Sequence, residues 1–164
     1  MPGTSRYSFR PVSPDDFSLL SQWLSRPHVR QWWAPSEPFS EQKLKDPRVR
    51  RRIVSTAEHP FAYIQDYTVH GWADHHFHAL PEGSRGIDQF IGEPYMTGQG
   101  HGPAFISQRL QALFLEGVPV VATDPHPENA NAISAYGKSG FTQFGTPCDT
   151  SWGRILPMMA TPKA

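Results

Sequence analysis

The sequence predicts a mixed α/β domain. Short apolar runs with strand alternation recur along the chain, stretches with helical spacing separate them, and no internal repeat or linker interrupts them. The 164 residues suit one compact core, so a single domain over 1–164 is expected. Hydrophobic residues make up 38% and charged residues 18%, a balance that argues against disorder. A formal net charge of +0 lacks the basic excess of a nucleic-acid binder, and no nucleic-acid partner is expected. Cys148 is the one cysteine, which excludes an internal disulfide and a four-cysteine zinc site. No stretch reaches the roughly 18 apolar residues of a membrane span. No signal-peptide core stands near residues 1–9, so a cytoplasmic location without membrane attachment is expected.

The elements follow in order. Residues 7–12 read as a first strand. Ser13 suits a helix N-cap, Pro14 the first turn, and Asp15 and Asp16 the positive helix end. Phe17, Leu20, Trp23 and Leu24 then recur at helical spacing, until Pro27 disfavours helix at Arg26. A second short helix is expected over 28–33, and a polar loop with at most one helical turn over 34–47. Two strands, 50–56 and 61–69, are joined by a turn at Glu58-His59-Pro60. The basic run Arg48, Arg50, Arg51 and Arg52 suits an exposed strand edge. A long loop over 71–83, with His75, His76 and His78 in solvent, leads to a strand at 87–92. The histidine spacing is not that of a zinc motif, and no metal is expected. A helix over 103–116, a buried strand over 118–122 and a helix over 129–138 ending before Gly140 follow. Residues 141–144 and 152–158 are expected to pair as a final hairpin.

The informative segment is Thr97-Gly98-Gln99-Gly100-His101-Gly102-Pro103-Ala104, between a strand and a helix. Glycines at alternate positions turn the backbone sharply and expose its amides. With the positive helix end, those donors suit a diphosphate. No Lys-Ser/Thr follows, so this is not a Walker loop, and the spacing does not match a dinucleotide fingerprint. Some thirty residues on comes Asn129-Ala130-Asn131-Ala132-Ile133-Ser134-Ala135-Tyr136-Gly137-Lys138-Ser139-Gly140-Phe141.

This pair of motifs resembles the GNAT acetyltransferases. The stretch Trp23-Leu24-Ser25-Arg26-Pro27-His28-Val29-Arg30-Gln31-Trp32-Trp33 is similar to the aminoglycoside 6′-N-acetyltransferases, as are Arg85-Gly86-Ile87-Asp88-Gln89 and Thr123-Asp124-Pro125. The stretch Ile91-Gly92-Glu93-Pro94 is also similar to acetyltransferases that acylate a hydroxylysine for siderophores. Thr97 stands where the general family motif has Gln or Arg. The resemblance implies a single-domain mixed sheet with a splayed central strand, flanked by helices. It implies acetyl-CoA as cosubstrate, with Gly98, Gln99, Gly100, His101, Gly102 and Ala104 at its diphosphate, the backbone of Ile91 and Gly92 along its pantetheine arm, and Asn129 beside that arm.

Acyl transfer to nitrogen needs an unprotonated amine, a polarised carbonyl and a proton for the departing thiolate. An alkyl amine, with a pKa of about 10, is mostly ammonium near neutrality. Asp88 on the central strand is the candidate base, and Tyr136 the candidate acid. A backbone amide of Ile91 or Gly92 would meet the carbonyl oxygen. Asp74 and Asp124 align with family positions that hold a cationic acceptor, and Trp32 and Trp33 would wall its cleft. No metal or covalent enzyme intermediate is required. The acceptor is expected to be a small cationic amine of the aminoglycoside kind, and the protein a monomer or homodimer. A hydroxylysine-acylating enzyme and a non-catalytic acyl-CoA-binding domain are the alternatives.

Overall fold

The structure is a computed structural model that describes residues 6–33 and 38–163. The first strand is β1 (Ser8–Pro11), followed by a 3-10 turn at Pro14–Asp16 and helices α1 (Phe17–Ser25), α2 (Pro27–Arg30) and α3 (Glu41–Leu44). Next come β2 (Val49–Thr56), β3 (His59–Thr68), β4 (Arg85–Ile91) and α4 (His101–Leu115). The chain closes with β5 (Val121–Thr123), α5 (Ala130–Lys138), β6 (Thr142–Gln143), β7 (Cys148–Thr150), β8 (Gly153–Ile155) and β9 (Met158–Ala160). Seven strands hydrogen-bond in the order β1-β2-β3-β4-β5-β9-β6, while β7 and β8 form a separate hairpin. The sheet is mixed: β4 and β5 are parallel, whereas β1–β2, β5–β9 and β6–β9 are antiparallel.

Two compact units make up the chain, Met1–Asp66 with Gln89–His101, and Tyr67–Asp88 with Gly102–Ala164. In the first, α1 turns Leu20 and Trp23 inward at helical spacing, to join Val12, Val29, Ile53, Tyr63 and Phe90 in one apolar core. The start of α1 is locked by Asp16. Its carboxylate accepts the Ser13 amide at 2.9 Å and both Arg10 guanidinium nitrogens at 2.7 Å. That fork holds the Asp16 carboxyl below its usual range. The second unit buries Phe105, Ile106, Leu110 and Leu113 of α4 together with Val121 and Ala122 of β5.

Several boundaries differ from expectation. The turn between β2 and β3 sits at Ala57 and Glu58, both with positive φ (47° and 69°), and Pro60 lies inside β3. Two left-handed residues give the twist that a two-residue hairpin prefers, and this outweighs the turn preference of proline. The basic run is not a sheet edge, since β1 lies outside β2. Arg50 and Arg52 instead pair with the buried Asp66 at 2.8 and 3.3 Å. Arg48 pairs with Asp46 at 2.9 Å, and Arg51 donates to the Lys43 carbonyl.

The short helix expected over 28–33 is the single turn Pro27–Arg30. The loop expected over 34–47 lies partly outside the described residues and carries the one turn α3. The strand expected over 118–122 is confined to Val121–Thr123, although Val118 and Val120 are buried as their apolar character requires. The expected final hairpin is divided. Residues Thr142 and Gln143 pair with β9, while Trp152 sits at the tip of the β7–β8 hairpin.

Candidate active site

The first unit carries the end of β4 and the glycine turn. Gly92 lies flat against the Trp23 indole, where a Cβ would overlap the ring. Trp23 Nε1–H donates to Glu93 at 2.7 Å, and Arg26 donates both to Glu93 at 2.9 Å and to the Gly92 carbonyl at 2.8 Å. A His28 ring nitrogen donates to the Ile91 carbonyl at 2.8 Å. The segment Trp23–Arg26–His28, read above as part of a family signature, thus physically holds the strand end. One expectation is corrected here. The Gly92 amide donates to the Phe61 carbonyl at 2.8 Å, and the Glu93 amide shares that oxygen. It is therefore not a donor for a substrate carbonyl. Two amides on one carbonyl mark a bulge-like break that ends regular pairing at Gly92.

Beyond that break, Gly98 and Gly100 adopt φ of +71° and +83°, conformations open to glycine. Open space lies beside both α-carbons. The amides of Gly98, Gln99 and Gly100 have no hydrogen-bond partner among the described residues. Gln99 anchors the turn by donating its side-chain amide to the Tyr95 carbonyl at 2.6 Å. Helix α4 starts at His101, two residues earlier than expected, so Gly102, Pro103 and Ala104 lie in its first turn. Proline is tolerated there because its missing N–H has no helical partner to lose. His101 Nδ1 lies 2.8 Å from the Tyr7 hydroxyl, and burial followed by the charge of Arg6 lowers its pKa. These exposed amides at a helix start fit an anionic diphosphate.

In the second unit, β4 pairs with β5 only through Arg85↔Val121 and Gly86↔Ala122. Thr123 Oγ1–H donates to the Ile87 carbonyl at 2.9 Å, and Asp88 follows directly, half-buried. Strand β4 thus runs on beyond its two printed partners in the three-residue β5. Gly86 faces the Tyr67 phenol so closely that a Cβ would overlap the ring. Burial pushes the Tyr67 hydroxyl well above its ordinary pKa, and the charges of Asp124, Asp88 and Tyr136 act in the same direction. Asp88, Asp124 and Tyr136, far apart in sequence, thus all act electrostatically on one buried phenol. Sequence reading missed Tyr67 as part of the site; its neighbour, the small Gly86 in a strand, was the available signal.

Tyr136 is buried on α5, and the end of that helix fixes it. The Phe141 amide donates to the Tyr136 carbonyl at 3.0 Å and the Gly140 amide to the Gly137 carbonyl at 3.1 Å, with Gly140 at φ +107°. This is a Schellman ending, and its usual apolar contact is the Tyr136–Phe141 ring pair at 5.3 Å. Ser139 ties α5 to α4 by donating to the Pro103 carbonyl at 3.1 Å. Asn129 is the N-cap of α5, its side-chain oxygen accepting the Ala132 amide at 3.2 Å. Only its amide nitrogen is left for another partner.

The remaining expected residues are not gathered in the same way. Asp74 is exposed on its loop, and Trp32 is half-buried in the first unit. Trp33 packs edge-on against Tyr63 and Phe90 at 5.9 and 5.0 Å, as a flank of the first unit's core. Of the three loop histidines, His78 is exposed as expected, whereas His76 is half-buried and His75 buried. His75 is 6% exposed and its pKa falls to about 4, first through burial and then through the neighbouring charge of His76. Asp124 is bonded to His76 at 2.9 Å.

A seven-stranded mixed sheet with a glycine turn leading into α4 suits an acyl-CoA-type transferase scaffold. The chain belongs to the acetyltransferase (GNAT) domain family, which it matches over residues 13–147. It is 29% identical over 169 residues to an aminoglycoside N(6′)-acetyltransferase type 1 of Klebsiella pneumoniae, covering 96% of this chain and 84% of that protein. It is 38% identical over 83 residues to a kanamycin resistance protein of Rhizobium radiobacter, covering 50% of this chain and 76% of that protein. A solved structure of AAC(6′)-Ib in complex with coenzyme A and kanamycin is similar at TM-score 0.85 and 30% identity, covering 94% of both chains. The chain is thus an N-acetyltransferase with the GNAT fold. No helix among the described residues is long and apolar enough to cross a membrane.

Proposed function

We propose that residues 1–164 act as one N-acetyltransferase domain that moves acetyl from acetyl-CoA to the 6′-amine of an aminoglycoside. The observation that carries this reading is the pair of aspartates in the second unit, Asp88 on β4 and Asp124, held by His76 at 2.9 Å, after β5. Their carboxylates suit a polycationic acceptor. The relatives support it further, being named for aminoglycoside acetylation and kanamycin resistance. In this reading the amides of Gly98, Gln99, Gly100 and His101, with Gly102 and Ala104, receive the diphosphate. Ile91 and the amide nitrogen of Asn129 lie along the pantetheine arm, and Trp32, Trp33, Asp74 and Asp124 bind the acceptor.

Asp88 takes the proton of the attacking amine, directly or through water. The nitrogen bonds to the thioester carbon and the carbon–sulfur bond breaks. Tyr136 gives its phenolic proton to the departing thiolate and regains one from solvent. The basic cluster Arg48, Arg50, Arg51 and Arg52 is engaged by Asp46, Asp66 and the Lys43 carbonyl, which does not favour its use for a carboxylate-bearing acceptor such as hydroxylysine. The test is steady-state release of free CoA with kanamycin, spermidine or hydroxylysine as acceptor. Kanamycin is expected to be turned over, with kcat reduced at least about 10²-fold in Asp88→Asn and in Tyr136→Phe. Turnover of kanamycin that neither substitution alters would refute the assigned roles. Turnover of hydroxylysine in preference to kanamycin would refute the acceptor.

A further inference from the structure

The loop that carries three histidines is a packed aromatic cluster within the second unit. The His75 and His76 rings stack at 4.2 Å with an interplanar angle of 24°. Phe77 lies 4.3 Å from the His76 ring, and Trp152, at the tip of the β7–β8 hairpin, lies 5.7 Å from it. His75 is itself fixed, because its Nδ1 accepts the Phe77 amide at 3.0 Å. Three neighbouring rings thus set the plane of His76. In that plane, His76 Nε2 points at Asp124 Oδ2 at 2.9 Å. A carboxylate can only accept, so Nε2 carries the hydrogen and donates it. Nδ1 is buried and has no partner among the described residues. The side chains of His76 and Asp124 are 14% and 16% exposed. Asp124 Oδ1 has no hydrogen-bond partner among the described residues.

We propose that His76 is a positioning residue for the acceptor: it holds one carboxylate oxygen of Asp124 so that the other faces the incoming ammonium group. This rests on the reading that Asp124 binds a cationic amine. An aspartate at the end of a strand would otherwise sample several rotamers, and each binding event would have to order it. The Nε2–H bond removes that cost in advance and leaves the negative charge in place. The role belongs to binding rather than to bond making, so it acts on KM for the acceptor.

Steady-state kinetics of the whole chain test this, with kanamycin and acetyl-CoA varied in turn, for wild type, His76→Ala, His76→Asn, His76→Gln, Asp124→Asn and the Ala/Asn double variant. His76→Ala and His76→Asn are expected to raise KM for kanamycin about tenfold, with kcat and KM for acetyl-CoA little changed. His76→Gln, whose longer amide can donate from the Nε2 position, should recover most of that loss. In the double variant the loss should not exceed that of Asp124→Asn alone, because His76 acts through Asp124. An unchanged kanamycin KM in both His76→Ala and His76→Asn would overturn the proposal. So would losses that add in full in the double variant, or an equal fall in kcat that Gln does not rescue. Wild-type protein that leaves kanamycin unacetylated would instead overturn the functional reading, and this proposal with it.

Discussion

Tyr67 keeps its phenol protonated because burial, and then the charges of Asp124 and Asp88, oppose its ionisation. Its position depends on the absence of a side chain at Gly86. Gly86→Ala should therefore force the phenol aside and lower stability by about 1–3 kcal/mol, read from denaturant unfolding. It should also reduce CoA release, since the groups around Tyr67 shift with it. A second residue-scale consequence concerns pH. His75 titrates at about 4 in the folded protein, against about 6.5 in an unfolded chain. The unfolded state then binds the extra proton first, so His75 stabilises the fold above pH 6.5 and loses that contribution as pH falls towards 4. Thermal unfolding should show Tm falling over this window. His75→Asn, which keeps an acceptor for the Phe77 amide but cannot take up a proton, should flatten the fall. An unaltered slope would contradict the burial of a neutral imidazole.

Two short turns at the scale of elements set the geometry of longer ones. The β2–β3 hairpin places Ala57 and Glu58 in the left-handed region, where L side chains are strained. The Ala57→Asn, Glu58→Gly pair matches that backbone and should raise stability by about 1 kcal/mol, measured as the shift of the denaturation midpoint. At the end of α5, Gly140 allows the two closing bonds that seat Phe141 on Tyr136. The same elements show what was legible in advance. The helical spacing of α1, the glycine turn and the motif around Tyr136 predicted their elements because each is a local pattern. The turn at Ala57 and Glu58 carries no glycine or asparagine, so its chemistry was silent, while Glu58-His59-Pro60 offered a stronger but misleading signal.

Long-range pairing decides the rest at the scale of the whole molecule. The arginines of β2 look like an exposed edge in sequence, yet β1 covers that side and Asp66, remote in sequence, neutralises two of them. His75 and His76 look solvated in sequence because their partners, Trp152 and Asp124, are tens of residues away. Motifs point to Asp88, Asp124 and Tyr136, but not to their shared electrostatic effect on Tyr67, which depends on long-range packing. Family membership rests on the matched span 13–147, whereas the acceptor rests on the chemistry of these few side chains.

The proposed reaction is acetyl transfer to one defined amine of an aminoglycoside. Its most direct test is the structure of the product, by mass spectrometry and NMR, after kanamycin and acetyl-CoA are incubated with the protein. The expected product is kanamycin carrying a single acetyl group, as an amide on its 6′-amine, formed together with free CoA. Unmodified kanamycin, or acetyl placed on a hydroxyl or on another amine, would contradict it.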